Sequence, residues 1–258
     1  MSKIYKALAR AEAERGSKAP EKVVRPPDIL APEPVSYRVA PGSGHGHPEV
    51  PEHREEYEKL KVMLTLEAAR SDLRSVLLVS ALAGEGVSTV TLGLAATMAE
   101  VARQGVLVID LNSANPTLAD RHDVRMPVGL GELLAKDATR ADAVAESDIP
   151  HLFVLGRGRA SADLSQPASL ALFDELVRGM RSDFDHLLID GGALATSPDS
   201  LLVASKVDGV MLVVQAERTS AEVVRDASHQ LRTAGANLLG VVLNRRRDYL
   251  PGFLSRRL

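Results

Sequence analysis

The sequence predicts an α/β protein: a doubly wound, mostly parallel sheet covered by helices on both faces, three layers in all. Three observations carry that prediction. Short apolar runs, of the kind found in strands buried on both faces, recur along the chain. Helical stretches separate most of them, which is the strand–helix alternation of a parallel sheet. The first run passes through a glycine-containing turn directly into a helix. The 258 residues suffice for one full-sized domain with some unstructured chain besides. With 45% hydrophobic and 25% charged residues the composition is that of a soluble globular protein. Zero cysteines exclude a disulfide scaffold, a thiolate metal site, a cysteine nucleophile and an iron–sulfur cluster. A formal charge of -3 argues against a whole-surface nucleic-acid binder, so no nucleic-acid partner is expected. No run of eighteen apolar residues and no secretory leader occur, which points to a cytosolic protein.

The elements follow in order. Residues 1–15 predict a short helical segment, with Ile4, Ala7, Leu8 and Ala11 on one face. So short a helix is marginal alone and needs a surface in its own domain or a partner. Residues 16–51 are rich in Pro, Gly, Ser and Glu and read as a flexible linker, unable to bury enough apolar area to offset ordering entropy. His45 and His47 within it lack a third ligand nearby. The domain spans 52–248. A helix is expected over 55–69, with Leu60, Met63, Leu64 and Leu66 as its apolar side. Strands are expected at 76–80, 106–110, 152–155, 187–190, 210–214 and 238–243, and further helices at 89–103, 130–135, 169–182 and 220–234. Met98, Met126 and Met180 read as core, and His122, His151 and His186 as structural or surface residues. Residues 249–258 form a basic tail, continuing the arginines 245–247 with Arg256 and Arg257. This basic end suits an anionic membrane surface, nucleic acid or an acidic partner, or is simply a solvated helix end and tail.

In a sheet of this kind, ligands sit beyond the carboxyl ends of the strands. The first expected strand runs into Ser80-Ala81-Leu82-Ala83-Gly84-Glu85-Gly86-Val87-Ser88-Thr89, and a helix follows. Strand, glycine turn and Ser-Thr at a helix start form the setting in which backbone amides cradle phosphates. Gly84 and Gly86 permit close approach, and Ser88 stands where a hydroxyl meets magnesium. A working loop of this type ends Gly-Lys-Ser/Thr, and Val87 occupies the lysine position. Valine carries no charge for the β- and γ-phosphates. The plainer alternative is a glycine turn that merely joins strand to helix.

At these residues the chain resembles the bacterial tyrosine autokinases of capsule and exopolysaccharide synthesis, P-loop proteins related to septum-site and plasmid-partition ATPases. The opening Met1-Ser2-Lys3-Ile4-Tyr5-Lys6-Ala7-Leu8 is similar to the start of stand-alone members. The family's Pro-Gly-Glu-Gly-Lys-Ser-Thr corresponds to residues 83–89, with Ala83 for the proline and Val87 for the lysine. Its Ile-Asp-Ala-Asp-Leu-Arg-Arg-Pro corresponds to residues 109–116. There Asp110 and Pro116 remain, while Asn112 replaces the second aspartate and Ala114 an arginine. An amide is no useful base. Its Tyr-Asp-Tyr-Val-Ile-Ile-Asp-Thr-Pro-Pro corresponds to residues 184–193, keeping Asp190 and losing Thr-Pro-Pro. Asp199 matches a further acidic position, and Gly240 to Asn244 the closing Gly-Val-Val-Leu-Asn.

The resemblance implies ATP or ADP with magnesium as cofactors. The nucleotide would meet Gly84, Glu85, Gly86, Ser88, Thr89 and, at its base, Asn244. The metal would meet Ser88, Asp110 and Asp190. Asp110, Asn112 and Val87 would fall at the catalytic positions, the last two degenerate. It further implies a partner in the cytoplasmic region of a membrane-bound polysaccharide co-polymerase, and a place at the inner face of the membrane. The family's Glu-x-x-Arg-x-x-Arg ring motif reads Glu55, Glu58, Lys61, so a ring-forming homo-oligomer is in question. The acceptor tyrosine cluster is reduced to Tyr249 near the C-terminus, with Tyr5, Tyr37 and Tyr57 elsewhere. The expected function is therefore a degenerate autokinase-like regulator or scaffold of exopolysaccharide synthesis and export. An active tyrosine autokinase is the first alternative and a positioning ATPase of the partition or septum-site kind the second.

Overall fold

The computed structural model describes residues 38–39, 54–112, 128–160 and 163–245. The expected N-terminal helix, His45, His47, Ala114, Pro116, His122, Met126, Tyr5, Tyr37, Tyr249 and the basic tail lie outside these residues.

The described elements run β1 (Arg38–Val39), α1 (Arg54–Ser71), β2 (Ser75–Ser80), α2 (Val87–Ala99), β3 (Val106–Asp110), α3 (Leu130–Ala135), α4 (Arg140–Ala143), β4 (Val144–Glu146), β5 (Leu152–Leu155), α5 (Pro167–Met180), β6 (His186–Ala193), α6 (Asp199–Val203), β7 (Gly209–Gln215), α7 (Ala221–Thr233) and β8 (Leu238–Asn244). The strands form one sheet in the order β1-β4-β5-β3-β6-β2-β7-β8. Every pairing is parallel except β4 with β5. Residues 38–39, within the stretch read as a linker, pair with β4 at the sheet edge.

The apolar runs are strands because both of their faces are covered. In β2, Leu77 and Val79 point into one core, while Val76 and Leu78 point into the other. The same alternation holds in β3 for Leu107 and Ile109 against Val106 and Val108. The first core packs beneath α5 and α7 through Phe173, Val177, Met180 and Leu231. The second packs beneath α1 and α2 through Leu64, Val90, Leu94 and Met98. From β2 the chain crosses over β6 to β3, and it later returns to β7 on the far side of β2. The strand order thus reverses beside β2, and the crevice at its carboxyl end is where ligands of such sheets bind.

Three expectations are corrected. In α1 only Leu64 is fully buried, with Tyr57, Leu60 and Ala68 packed beside it. Met63 and Leu66 face outward, at 61% and 57% exposure. The helix docks through the stripe 57, 60, 64, 68 because the Tyr57 ring lies over Gly93 of α2, where a Cβ would come within 2.3 Å of it. Next, α2 begins at Val87 rather than at residue 89, because Gly86, with φ 94°, turns the chain into the helix two residues earlier. Last, β6 runs on through Gly191 and Gly192 to Ala193, past the predicted end at residue 190. A Cβ at Gly191 would meet Val79 and Leu77 side chains at 2.8 and 2.9 Å, so only glycine lets β6 lie this close to β2. The short β4 was not expected; it is too brief to show a period in sequence.

At the opposite end of the sheet, Asp208 clamps the starts of β2 and β7. It accepts from the backbone N–H of Arg74 and Ser75 at 3.0 and 2.8 Å, from the Ser75 hydroxyl, and from the Arg181 guanidinium. Burial alone pushes its carboxyl up, and these donors together hold it below the usual 3.8. Glu132 is alike: burial pushes it up, and the N–H groups of Ala160, Gly129 and Arg159 bring it below 4.5. Burial lowers His186 from 6.5, opposed by Asp185 and assisted by Arg74. All three groups bind protons less readily in the folded state than when unfolded. Their support is therefore complete above 6.5 for the histidine and above 4.5 and 3.8 for the carboxyls, and is lost as pH falls through the lower folded values. Thermal melts should show a midpoint falling from pH 7 to pH 3. Asp208→Asn should lower the midpoint at neutral pH and flatten the drop below pH 4; a parallel drop in that variant would remove Asp208 from the account.

Candidate phosphate-binding site

At the carboxyl end of β2 the chain leaves the sheet at Ser80, turns over Ala81 to Gly86, and enters α2 at Val87. Gly84 and Gly86 adopt φ of 82° and 94°, a left-handed conformation that glycine takes at no steric cost. The turn is fastened from within. The Ser80 hydroxyl donates to the Leu82 carbonyl at 2.8 Å, and the Leu82 N–H donates to Glu85 Oε2 at 2.8 Å. Glu85 Oε1 accepts from the Gln215 N–H at 3.2 Å and from the Thr219 hydroxyl, which ties the turn to the end of β7. Only 2% of Glu85 is exposed. Its carboxylate holds the loop in shape, so a ligand would meet this residue at its backbone.

A cavity of about 230 Å³ opens over the turn. Ser80, Gly84, Gly86, Ser88 and Thr89 border it on one side, and Asn112, Gly192 and Thr196 on another. Ligand pockets span roughly 300–1,000 Å³, so this one suits the phosphate end of a nucleotide rather than a whole nucleotide. Two larger grooves, of about 400 and 340 Å³, lie elsewhere. Neither contains a glycine turn at a strand end, and the chemistry favours the smaller cavity. Val87 borders the cavity but is only 5% exposed, and it belongs to the apolar core beneath α1 and α2 that also holds Val90, Leu94 and Val213.

Asp110, the last residue of β3, lies beside Asp190 of β6, in register across the two strands. They are 1% and 0% exposed. Each turns one oxygen back on its own chain: Asp110 Oδ1 accepts from the Asn112 N–H at 3.0 Å, and Asp190 Oδ1 from the Gly192 N–H at 3.2 Å. These hydrogen bonds place Asn112 and Gly192, not the carboxylates, at the cavity wall. Gly192 has φ 69°, which proline cannot adopt, so the Thr-Pro-Pro of the resembled motif could not follow this path. Of the residues expected at the metal, Ser88 borders the cavity and offers a hard oxygen donor suited to magnesium, while Asp110 and Asp190 are buried and do not border it. Among the described residues no group of three or more His, Asp or Glu is placed to hold a metal ion. Asp199 opens α6 and pairs with Arg157 at 3.7 Å, while Arg157 also donates to the Leu111 carbonyl at 3.0 Å.

Asn244, expected from resemblance at the base of a nucleotide, touches the loop. Its Nδ2 donates to the Glu85 carbonyl at 2.8 Å, and its Oδ1 accepts from the Arg245 N–H at 2.8 Å. A Cβ at Gly86 would come within 2.2 Å of that amide. Sequence reasoning missed the Glu85 clamp and the presence of Arg245 on the cavity wall. The only sequence signal for either was an acidic residue inside a glycine turn.

No family model matches the chain. Among curated proteins it is 28% identical over 163 residues to the tyrosine-protein kinase CpsD of Streptococcus agalactiae, covering 63% of this chain and 71% of that one. It is 27% identical over 190 residues to the tyrosine-protein kinase YwqD of Bacillus subtilis, covering 74% and 80%. It is 29% identical over 194 residues to the succinoglycan biosynthesis transport protein ExoP of Rhizobium meliloti, covering 74% of this chain but 25% of ExoP. Among solved structures, the chimeric protein CapA2B2 superposes with a TM-score of 0.67 at 25% identity, covering 79% of this chain and 89% of that one. The VpsO kinase domain gives 0.64 at 28% identity, covering 75% and 98%. The septum-site protein MinD of Pyrococcus horikoshii, complexed with Mg-ADP, shares the fold with a TM-score of 0.56 at 22% identity, covering 71% and 76%. By sequence and by fold, the chain is a homologue of bacterial tyrosine-protein kinases.

Proposed function

We propose that the chain is a kinase-like regulator or scaffold of exopolysaccharide synthesis and export, which binds ATP or ADP at the glycine turn and has lost efficient phosphoryl transfer. The observation that carries this reading is Val87, a buried apolar side chain at the first position of α2, where a phosphate loop carries its lysine. Asn112 at the cavity wall adds to it, since an amide cannot take a proton from an incoming hydroxyl. Tyr57 is the tyrosine among the described residues, and its ring is held between α1 and α2. Burial first, and Glu56 second, raise its hydroxyl above 10, which opposes its use as an acceptor.

Magnesium, bound beside Ser88, Asp110 and Asp190, would neutralise phosphate charge. The partner on this reading is the cytoplasmic region of a membrane-bound polysaccharide co-polymerase, which puts the protein at the inner face of the membrane. ExoP supports it: a protein named for transport has a region like this chain within a much longer one. No helix among the described residues is long and apolar enough to cross a membrane. The ring motif is internally satisfied, as Lys61 pairs with Glu58 of the same helix at 2.6 Å.

Incubation with γ-labelled ATP and magnesium tests the proposal. The expected result is no label on tyrosine. Label on tyrosine that disappears in Asp190→Ala would overturn it in favour of an active autokinase.

A further inference from the structure

We infer that Arg245 supplies the cation for the phosphates of a bound nucleotide, in place of the lysine absent at position 87. The inference rests on the nucleotide-binding reading above and adds how the anion is gripped. Arg245 follows β8 directly and borders the cavity together with Gly84, Gly86 and Ser88. Glu85 is the one other charged residue among the described cavity residues, and its carboxylate is turned into the loop. The backbone sets where the arginine leaves the sheet. Asn244 bridges the two segments, accepting from the Arg245 N–H at 2.8 Å and donating to the Glu85 carbonyl at 2.8 Å. The start of the arginine is thereby tied to the phosphate loop itself.

Two further features separate Arg245 from an ordinary surface arginine. Its φ is 56°, a left-handed conformation unusual for a residue with a side chain and held only where the surroundings fix it. Its guanidinium is exposed and meets a neutral group, the Gln215 amide oxygen at 3.4 Å, a long contact that an anion readily displaces. Among the described residues no carboxylate pairs with it, whereas Arg157, beyond the end of β5, is paired with Asp199. A guanidinium presents a planar fork that matches phosphate oxygens two at a time. It enters across Gly86 from the β8 side rather than from the first turn of α2. That approach supports binding of the phosphate chain without restoring a lysine to the place where charge develops in transfer.

The test is a titration of Mg-ADP into the full chain and into Arg245→Gln, Arg245→Lys and Arg218→Gln. Arg218 also reaches the Gln215 amide at 3.4 Å but does not border the cavity, so it controls for loss of charge near β7. The expected result is at least tenfold weaker binding in Arg245→Gln, partial recovery in Arg245→Lys, and native affinity in Arg218→Gln. Thermal midpoints should be alike, since both side chains are exposed. Native affinity in Arg245→Gln, or an equal loss in Arg218→Gln, overturns the role of Arg245 and leaves nucleotide binding standing. Absence of Mg-ADP binding by the native chain overturns both.

Discussion

Glu85→Ala is expected to lower the unfolding free energy by about 2–4 kcal/mol, because partly buried donors lose their acceptor at once. The Leu82 and Gln215 N–H groups and the Thr219 hydroxyl all converge on this one carboxylate. Alanine supplies no acceptor, and a side chain 2% exposed leaves little access for water to replace it. The loss is local as well as global. Without the clamp, the left-handed turns at Gly84 and Gly86 lose their tie to β7 and keep only that of the Asn244 amide to β8, so nucleotide binding should vanish with the loop's shape. Glu85→Gln keeps one acceptor oxygen and should retain part of both properties. Urea denaturation and an ADP titration on the two variants check this; unchanged stability in Glu85→Ala would show that the clamp does not hold the turn.

Val87→Lys should change function in the opposite sense. A lysine stem leaving the first position of α2 replaces part of the valine's packing in the core beneath α1 and α2, and its ammonium has the cavity to enter. ATP affinity should rise at least tenfold, equivalent to about 1.4 kcal/mol. The unliganded protein should melt a few degrees lower, since a buried apolar side chain is lost and two cations, Lys and Arg245, then border one cavity. Affinity unchanged by this substitution would mean that position 87 does not face the phosphates.

The sheet was legible in the sequence wherever burial on both faces made an apolar run. The expected limits of 106–110 and 152–155 match β3 and β5. Where one face is open the signal thinned: Met63 and Leu66 look like core on composition and prove exposed, because Tyr57 over Gly93 rotates the docking stripe of α1. The candidate site was legible as a strand, a glycine turn and a helix start, all local in sequence. What was hidden depends on contacts between distant segments. Glu85 meets Thr219, 134 residues away, and Asn244 meets Glu85, 159 residues away. No spacing rule links such residues, so an arginine that sequence alone places in a basic tail emerges on the wall of the phosphate cavity.

The central claim is that this cavity binds nucleotide without turning it over efficiently, and one calorimetric titration of Mg-ATP into the native protein addresses both halves. Binding gives injection heats that saturate at one site per chain, and turnover gives thermal power that persists after each injection. The account predicts saturable heats with a return to baseline. Sustained power from hydrolysis or transfer, or no binding heat at all, would contradict it.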